Sequence, residues 1–123
     1  MAITHVTAVR NTLAEAIATA VDAGAGAGQV VIMTSGDVEV ATLAMSDPAF
    51  GAAASGSITA NAISDDTSAT GGTAALFKVT DSAGTEVYRG TVGTSGADLN
   101  LSSLSIGAGD TVSISSLVYT APA

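Results

Sequence analysis

Apolar residues change their spacing once along this chain, from every fourth position before Gly24 to every second position after it. Over residues 7–23 good helix formers dominate, and Val9, Leu13, Ile17 and Val21 recur with Ala16 and Ala20 beside them. This predicts one amphipathic helix of about four turns. Thr4 or Thr7 is placed to cap its start, and Gly24 suits the left-handed residue that ends such helices. The stripe is narrow and edged with alanine, so a partner can approach closely, whether the chain's own sheet or a neighbouring subunit. Docking on the chain's own sheet is the ordinary fate of such a helix. The run Gly24-Ala25-Gly26-Ala27-Gly28 has the composition of a phosphate-binding loop. It follows a helix and precedes a strand, the reverse of the dinucleotide fingerprint, and so reads as a linker.

Beyond the linker, residues 29–34 are apolar and β-branched, Ser35-Gly36-Asp37 supplies a turn, and residues 38–43 read as a second strand with Val38, Val40 and Thr42 on one face. The pair is a hairpin. Residues 49–56 are nearly all small and form a loop that Phe50 tacks down, and residues 57–63 are a third strand. The polar stretch 64–72 has the composition of an exposed loop. Residues 73–80 and 86–92 flank Asp81-Ser82-Ala83-Gly84 and form the best-marked hairpin, with Phe77 and Val79 facing the core opposite Val87 and with Leu76 and Lys78 on the other face. Leu99 and Leu101 mark a short strand, Gly107-Ala108-Gly109-Asp110 a turn, and residues 111–120 a closing strand. There Val112 and Ile114 alternate but Leu117 and Tyr119 fall out of phase, which a bulge near Ser115-Ser116 would restore.

About seven short strands behind one helix predict a mainly β fold, an antiparallel β-sandwich or a jelly-roll-like barrel. Parallel α/β is excluded by the missing crossover helices. The 123 residues suit a single domain, divided into an N-terminal segment and helix (1–23), a Gly/Ala linker (24–28) and the β-sandwich (29–121). Alanine supplies 25 residues while Val, Ile and Leu together supply 26, and there are two Phe, two Tyr and no Trp. The core is therefore thin, and many small contacts replace large aromatic anchors.

Eleven acidic residues face Arg10, Lys78 and Arg89, a formal charge of -8. No basic patch is available to neutralise phosphates, which argues against nucleic acid and against an anionic membrane. No apolar run approaches the roughly 20 residues that span a bilayer. The opening Met1-Ala2-Ile3-Thr4-His5 lacks a basic n-region, so the expectation is a soluble protein made in the cytoplasm without a secretory signal. With no cysteine, disulfides, thiol catalysis and Cys-based metal sites are excluded.

Candidate chemistry is sparse. His5 is the one histidine, without a partner ligand near it in sequence, so a zinc site is not expected. None of the 14 serines stands in a G-x-S-x-G elbow, and the adjacent Asp65 and Asp66 read as a solvated loop. Asp65, Asp66, Asp81, Asp98 and Asp110 lie in turns where carboxylates could converge on calcium, though no EF-hand spacing is present. The expectation is a protein that is not an enzyme, with no cofactor, no catalytic residue and no metal site.

Three passages carry a resemblance: Thr7-Ala8-Val9-Arg10-Asn11 with the helix and linker after it, Leu43-Ala44-Met45-Ser46-Asp47-Pro48-Ala49-Phe50-Gly51, and Val92-Gly93-Thr94-Ser95-Gly96-Ala97-Asp98-Leu99-Asn100-Leu101. With Ser105-Ile106-Gly107-Ala108-Gly109-Asp110-Thr111-Val112-Ser113-Ile114, they resemble small virion proteins of tailed phages and prophages. Members of that group carry a longer insert after the first strand, where this chain has the tight Ser35-Gly36-Asp37. The resemblance implies a structural protein of the virion, foremost a capsid decoration or cement protein on the outer surface of the head, made in the host cytoplasm. Its partners would be the major capsid protein and copies of itself, as a trimer or dimer. Negative charge favours the outside, away from packaged DNA. The interface residues expected are Ile3, Val6, Val9, Leu13, Ile17 and Val21. The alternatives are a tail-tip or receptor-binding module that recognises a cell-surface glycan, for which only Phe50, Phe77, Tyr88 and Tyr119 could stack, and a head-completion or tail component.

Overall fold

The computed structural model describes residues 3–122. Strand makes up 34% of the chain and helix 12%, so the fold is mainly β with one N-terminal helix. The helix, α1 (Thr7–Val21), begins at Val6, whose backbone is extended and whose side chain offers no cap. Neither Thr4 nor Thr7 caps it: Thr7 is already helical. Gly24, at φ +94°, turns the chain out after it as expected.

A curled sheet follows, built from β1 (Gln29–Met33), β2 (Glu39–Ala44), β5 (Leu76–Thr80), β6 (Glu86–Gly93) and β7 (Leu99–Asn100), in the order β2-β1-β5-β6-β7. Two ribbons complete the fold: β3 (Ser57–Thr59) with β9 (Val118–Thr120), and β4 (Gly72–Thr73) with β8 (Ser105–Ile106). All pairs are antiparallel except β6 with β7, which is parallel over two residues. The strands are about nine where pattern predicts about seven, because two-residue pairings leave no readable alternation.

Both predicted hairpins form, each with a bulge that re-aims side chains. Met33 pairs with Glu39 while Ile32 pairs with Ala41, leaving Val40 as the extra residue. Val40 therefore turns inward with Ala41 and Leu43, all fully buried, while Val38 is exposed in the turn. The expected face of Val38, Val40 and Thr42 is thus broken. In β6 the shift beside Thr80 sets Val79 against Tyr88 and Phe77 against Gly90, so Val87 is not opposite either core residue.

Three other expectations change for tertiary reasons. The strand expected at 57–63 ends at Thr59, with an isolated bridge from Ala60 to Phe50, which is buried and does tack down its loop. The polar stretch 64–72 is packed: Asp66 bridges to Val112, and Ala69 is buried. The closing strand is interrupted between the Val112 bridge and β9, because the chain leaves Asp66 there to pair with β3. This break, not a bulge, brings both Ile114 and Leu117 inward.

Small residues close the core. Ala14, Ala41, Ala49, Ala69, Ala74 and Ala121 are buried in it beside Val21, Ile32, Leu43, Ile58, Phe77 and Leu99. Gly28, at the end of the linker, lies where α1 meets the sheet. A Cβ there would stand 2.4 Å from the Thr80 carbonyl oxygen and 2.7 Å from Val21 Cγ1, so only glycine admits this approach.

Candidate functional site

The helix divides into two faces. Its inner face packs on β3 and β6 through Ala14 and Val21, which are fully buried, and through Ile17 and Ala18, which are half-buried. Polar side chains fix its position. The Arg10 guanidinium donates to the Ala121 carbonyl at 3.2 Å and the Pro122 carbonyl at 3.3 Å. Asn11 Oδ1 accepts from the Gly56 N–H and Asp22 Oδ1 from the Ala49 N–H, both at 2.8 Å. Helix and C-terminal strand are thereby joined within one chain.

The outer edge of α1 carries the exposed apolar residues. Ile3 is 84% exposed, Val6 68%, Val9 44% and Leu13 38%. Of the six residues expected at an interface, these four lie together along the start of the helix and the segment before it. The other two do not join them: Val21 is fully buried and Ile17 is half-buried against the same core. Spacing of four residues overshoots the 3.6-residue turn, so the stripe drifts around the helix and its C-terminal half turns inward where its N-terminal half stays outside.

The turn carboxylates do not converge. Asp66 accepts from the Thr42 and Ser68 N–H groups, Asp81 from those of Ala83 and Thr85, and Asp110 from that of Gly107. Asp98 Oδ2 accepts from the Thr91 N–H at 3.0 Å and from Thr91 Oγ1 at 3.1 Å. Each of these carboxylates is spent on nearby backbone N–H groups, locally for Asp81, Asp98 and Asp110 and across to β2 as well for Asp66. Among the described residues no group of three or more His, Asp or Glu side chains could hold a metal ion. Calcium among these turns therefore has no geometric support among the described residues.

A cleft of about 330 Å³ lies between β6 and β9, lined by Phe77, Tyr88, Arg89, Gly90, Asp98, Val118, Tyr119 and Thr120. Its inner wall is aromatic. Tyr88 meets Phe77 edge-on with ring centroids 6.1 Å apart, and Tyr119 tilts against Tyr88 at 5.2 Å. Tyr88 Oη is buried without a hydrogen-bond partner among the described residues, and burial pushes the phenol above its ordinary range. At the rim Arg89 is held by Glu86 at 2.7 Å and Asp37 at 3.2 Å. The hydrogen bond from Arg89 holds the Glu86 carboxyl below the usual carboxylate range. Of the four aromatics available for stacking on a glycan, Phe50 and Phe77 belong to the core, while Tyr88 and Tyr119 are half-buried beside it.

The chain matches no family model, no curated protein and no solved structure. The cleft is a site that pattern reading missed. Its one signal in the sequence is Gly90 inside an alternating strand, since glycine there marks a close approach. A Cβ at Gly90 would stand 2.8 Å from both Asp98 Oδ2 and Phe77 Cε1. No helix among the described residues is long and apolar enough to cross a membrane.

Proposed function

We propose that this protein is a structural subunit of a phage virion, most concretely a decoration or cement protein that binds the outer surface of the head. One observation carries the reading: Ile3, Val6, Val9 and Leu13 form an exposed apolar strip along the start of α1 and the segment before it, while the other face of that helix is already satisfied by its own chain. A strip of this kind on a folded surface is a protein-contact feature. The charge of -8 supports the outer side of a shell filled with DNA. The sequence resemblance to small tailed-phage virion proteins agrees with both. The mechanism is mass action: a subunit that binds only the assembled lattice stabilises that lattice by its binding free energy, and repeated copies multiply a modest affinity.

Each of Val9 and Leu13 has roughly half its side chain still to bury, about 1 kcal/mol apiece. The variant Val9→Gln/Leu13→Gln keeps the charge and does not lower helix propensity. It is expected to weaken binding to expanded empty capsids roughly 30-fold in co-sedimentation. A wild-type protein that stays monomeric and never co-sediments with such shells ends the decoration reading.

A further inference from the structure

The cleft between β6 and β9 is bounded by two strand edges that have no strand between them. The Val92 N–H donates to the Ala75 carbonyl at 2.9 Å, and Phe77↔Gly90 and Val79↔Tyr88 follow in register. The even-numbered residues of β6 therefore turn their amides toward β5, and Arg89 and Thr91 turn theirs the other way. The Thr91 N–H ends on Asp98 Oδ2. Arg89 lies before the two-residue pairing with β7, so its N–H and C=O face the cleft. The same alternation holds across the gap. The Ala121 N–H donates to Gly56 and the Ala60 N–H to Leu117, which turns the amides of Val118 and Thr120 away from β3. Both residues line the cleft, and no pairing joins β6 to β9 among the described residues.

We propose that this cleft is a docking groove for an extended, cationic segment of another polypeptide, which would add a strand between β6 and β9. Unpaired edge amides supply the hydrogen bonds of such strand addition, and the aromatic wall of Phe77, Tyr88 and Tyr119 takes alternate apolar side chains. Charge selects the occupant. Asp98 stands in the cleft, and Glu86 and Asp37 flank it while consuming Arg89. Another copy of this chain would bring -8 against -8, so the segment belongs to a different protein and alternates Lys or Arg with aliphatic residues. This assignment stands on the cleft alone and is independent of the helix strip.

The test uses the full ¹⁵N-labelled chain titrated with the capped peptide acetyl-KVKVK-amide. Amide resonances of Arg89, Val118 and Thr120 are expected to shift, with their hydrogen exchange slowed at least tenfold. N-methylation of the peptide's valines is expected to abolish these effects. Val118→Pro removes an N–H that takes no part in the ladder with β3 and is expected to weaken binding at least tenfold. The N-methylated peptide leaves the protein untouched, so the result does not depend on that variant folding. Absence of shifts at millimolar peptide, equal binding of the N-methylated or the acidic EVEVE peptide, or the same amides responding instead to a methyl glycoside or to protein concentration alone would each overturn the assignment.

Discussion

Replacing Tyr88 by phenylalanine should make this protein more stable. The Tyr88 hydroxyl is buried with no hydrogen-bond partner among the described residues, and a buried hydroxyl left unmatched costs about 1–3 kcal/mol in folded proteins. Phenylalanine removes that oxygen and keeps the ring, so the edge contact with Phe77 at 6.1 Å and the tilted contact with Tyr119 at 5.2 Å survive. A gain of about 1–2 kcal/mol is expected, a rise in thermal midpoint of roughly 4–8 °C for a chain of this size. Far-UV circular dichroism suits the assay, because the substitution removes one of only two tyrosines. Alkaline pH gives an independent arm. Burial raises the folded-state phenol above its unfolded value of about 10, so the folded state holds its proton longer than the unfolded chain. Stability is intact below about pH 10 and falls above it by up to about 1.4 kcal/mol per pH unit from this group. Tyr88→Phe should lose that component. A variant destabilised by more than about 1 kcal/mol, or one with an unchanged alkaline limb, would mean that the hydroxyl is satisfied and the reasoning wrong.

Other substitutions probe the joints of the fold. Gly28→Ala places a methyl 2.4 Å from the Thr80 carbonyl oxygen and should cost about 3 kcal/mol in urea unfolding, since backbone and not a flexible side chain has to move. Arg10→Met keeps the aliphatic stem but loses both bonds to the Ala121 and Pro122 carbonyls. It should cost about 1–2 kcal/mol and speed hydrogen exchange at Ala121. Asp66→Ala frees the Thr42 and Ser68 amides and should cost about 2 kcal/mol in the same assay.

What could be read from sequence was what local chemistry decides. The hairpins of β1 with β2 and β5 with β6 announce themselves through Ser35-Gly36-Asp37 and Asp81-Ser82-Ala83-Gly84, because a turn and its flanking alternation lie within a dozen residues. The helix was legible and its orientation was not. Its buried face rests on Ala14 and Val21, and alanine carries no clear periodic signal in a chain so rich in it. The pairings of β4 with β8 and of Asp66 with Val112 span two residues or fewer and are imposed by tertiary packing, which overrides pattern. For the same reason the expected interface set split. Ile3, Val6, Val9 and Leu13 stayed on the surface, while Ile17 and Val21 followed the helix into the core.

The cleft was less legible still, since it depends on which edge of β9 faces which edge of β6. Neither alternation nor composition encodes that relation between strands far apart in the chain. Gly90 hints at a close approach, and Tyr119 stands out in the sequence as an out-of-phase residue and as one of four aromatics able to stack on a glycan, neither of which places it beside β6.

The most direct test of the proposed role is electron microscopy of expanded empty heads incubated with the purified protein. The account expects added density on the outer surface at contacts between major capsid subunits, with the start of α1 seated on the shell and Ile3, Val6, Val9 and Leu13 buried there. Heads left bare, with the protein found at the tail or with that edge of the helix turned to solvent, would contradict it.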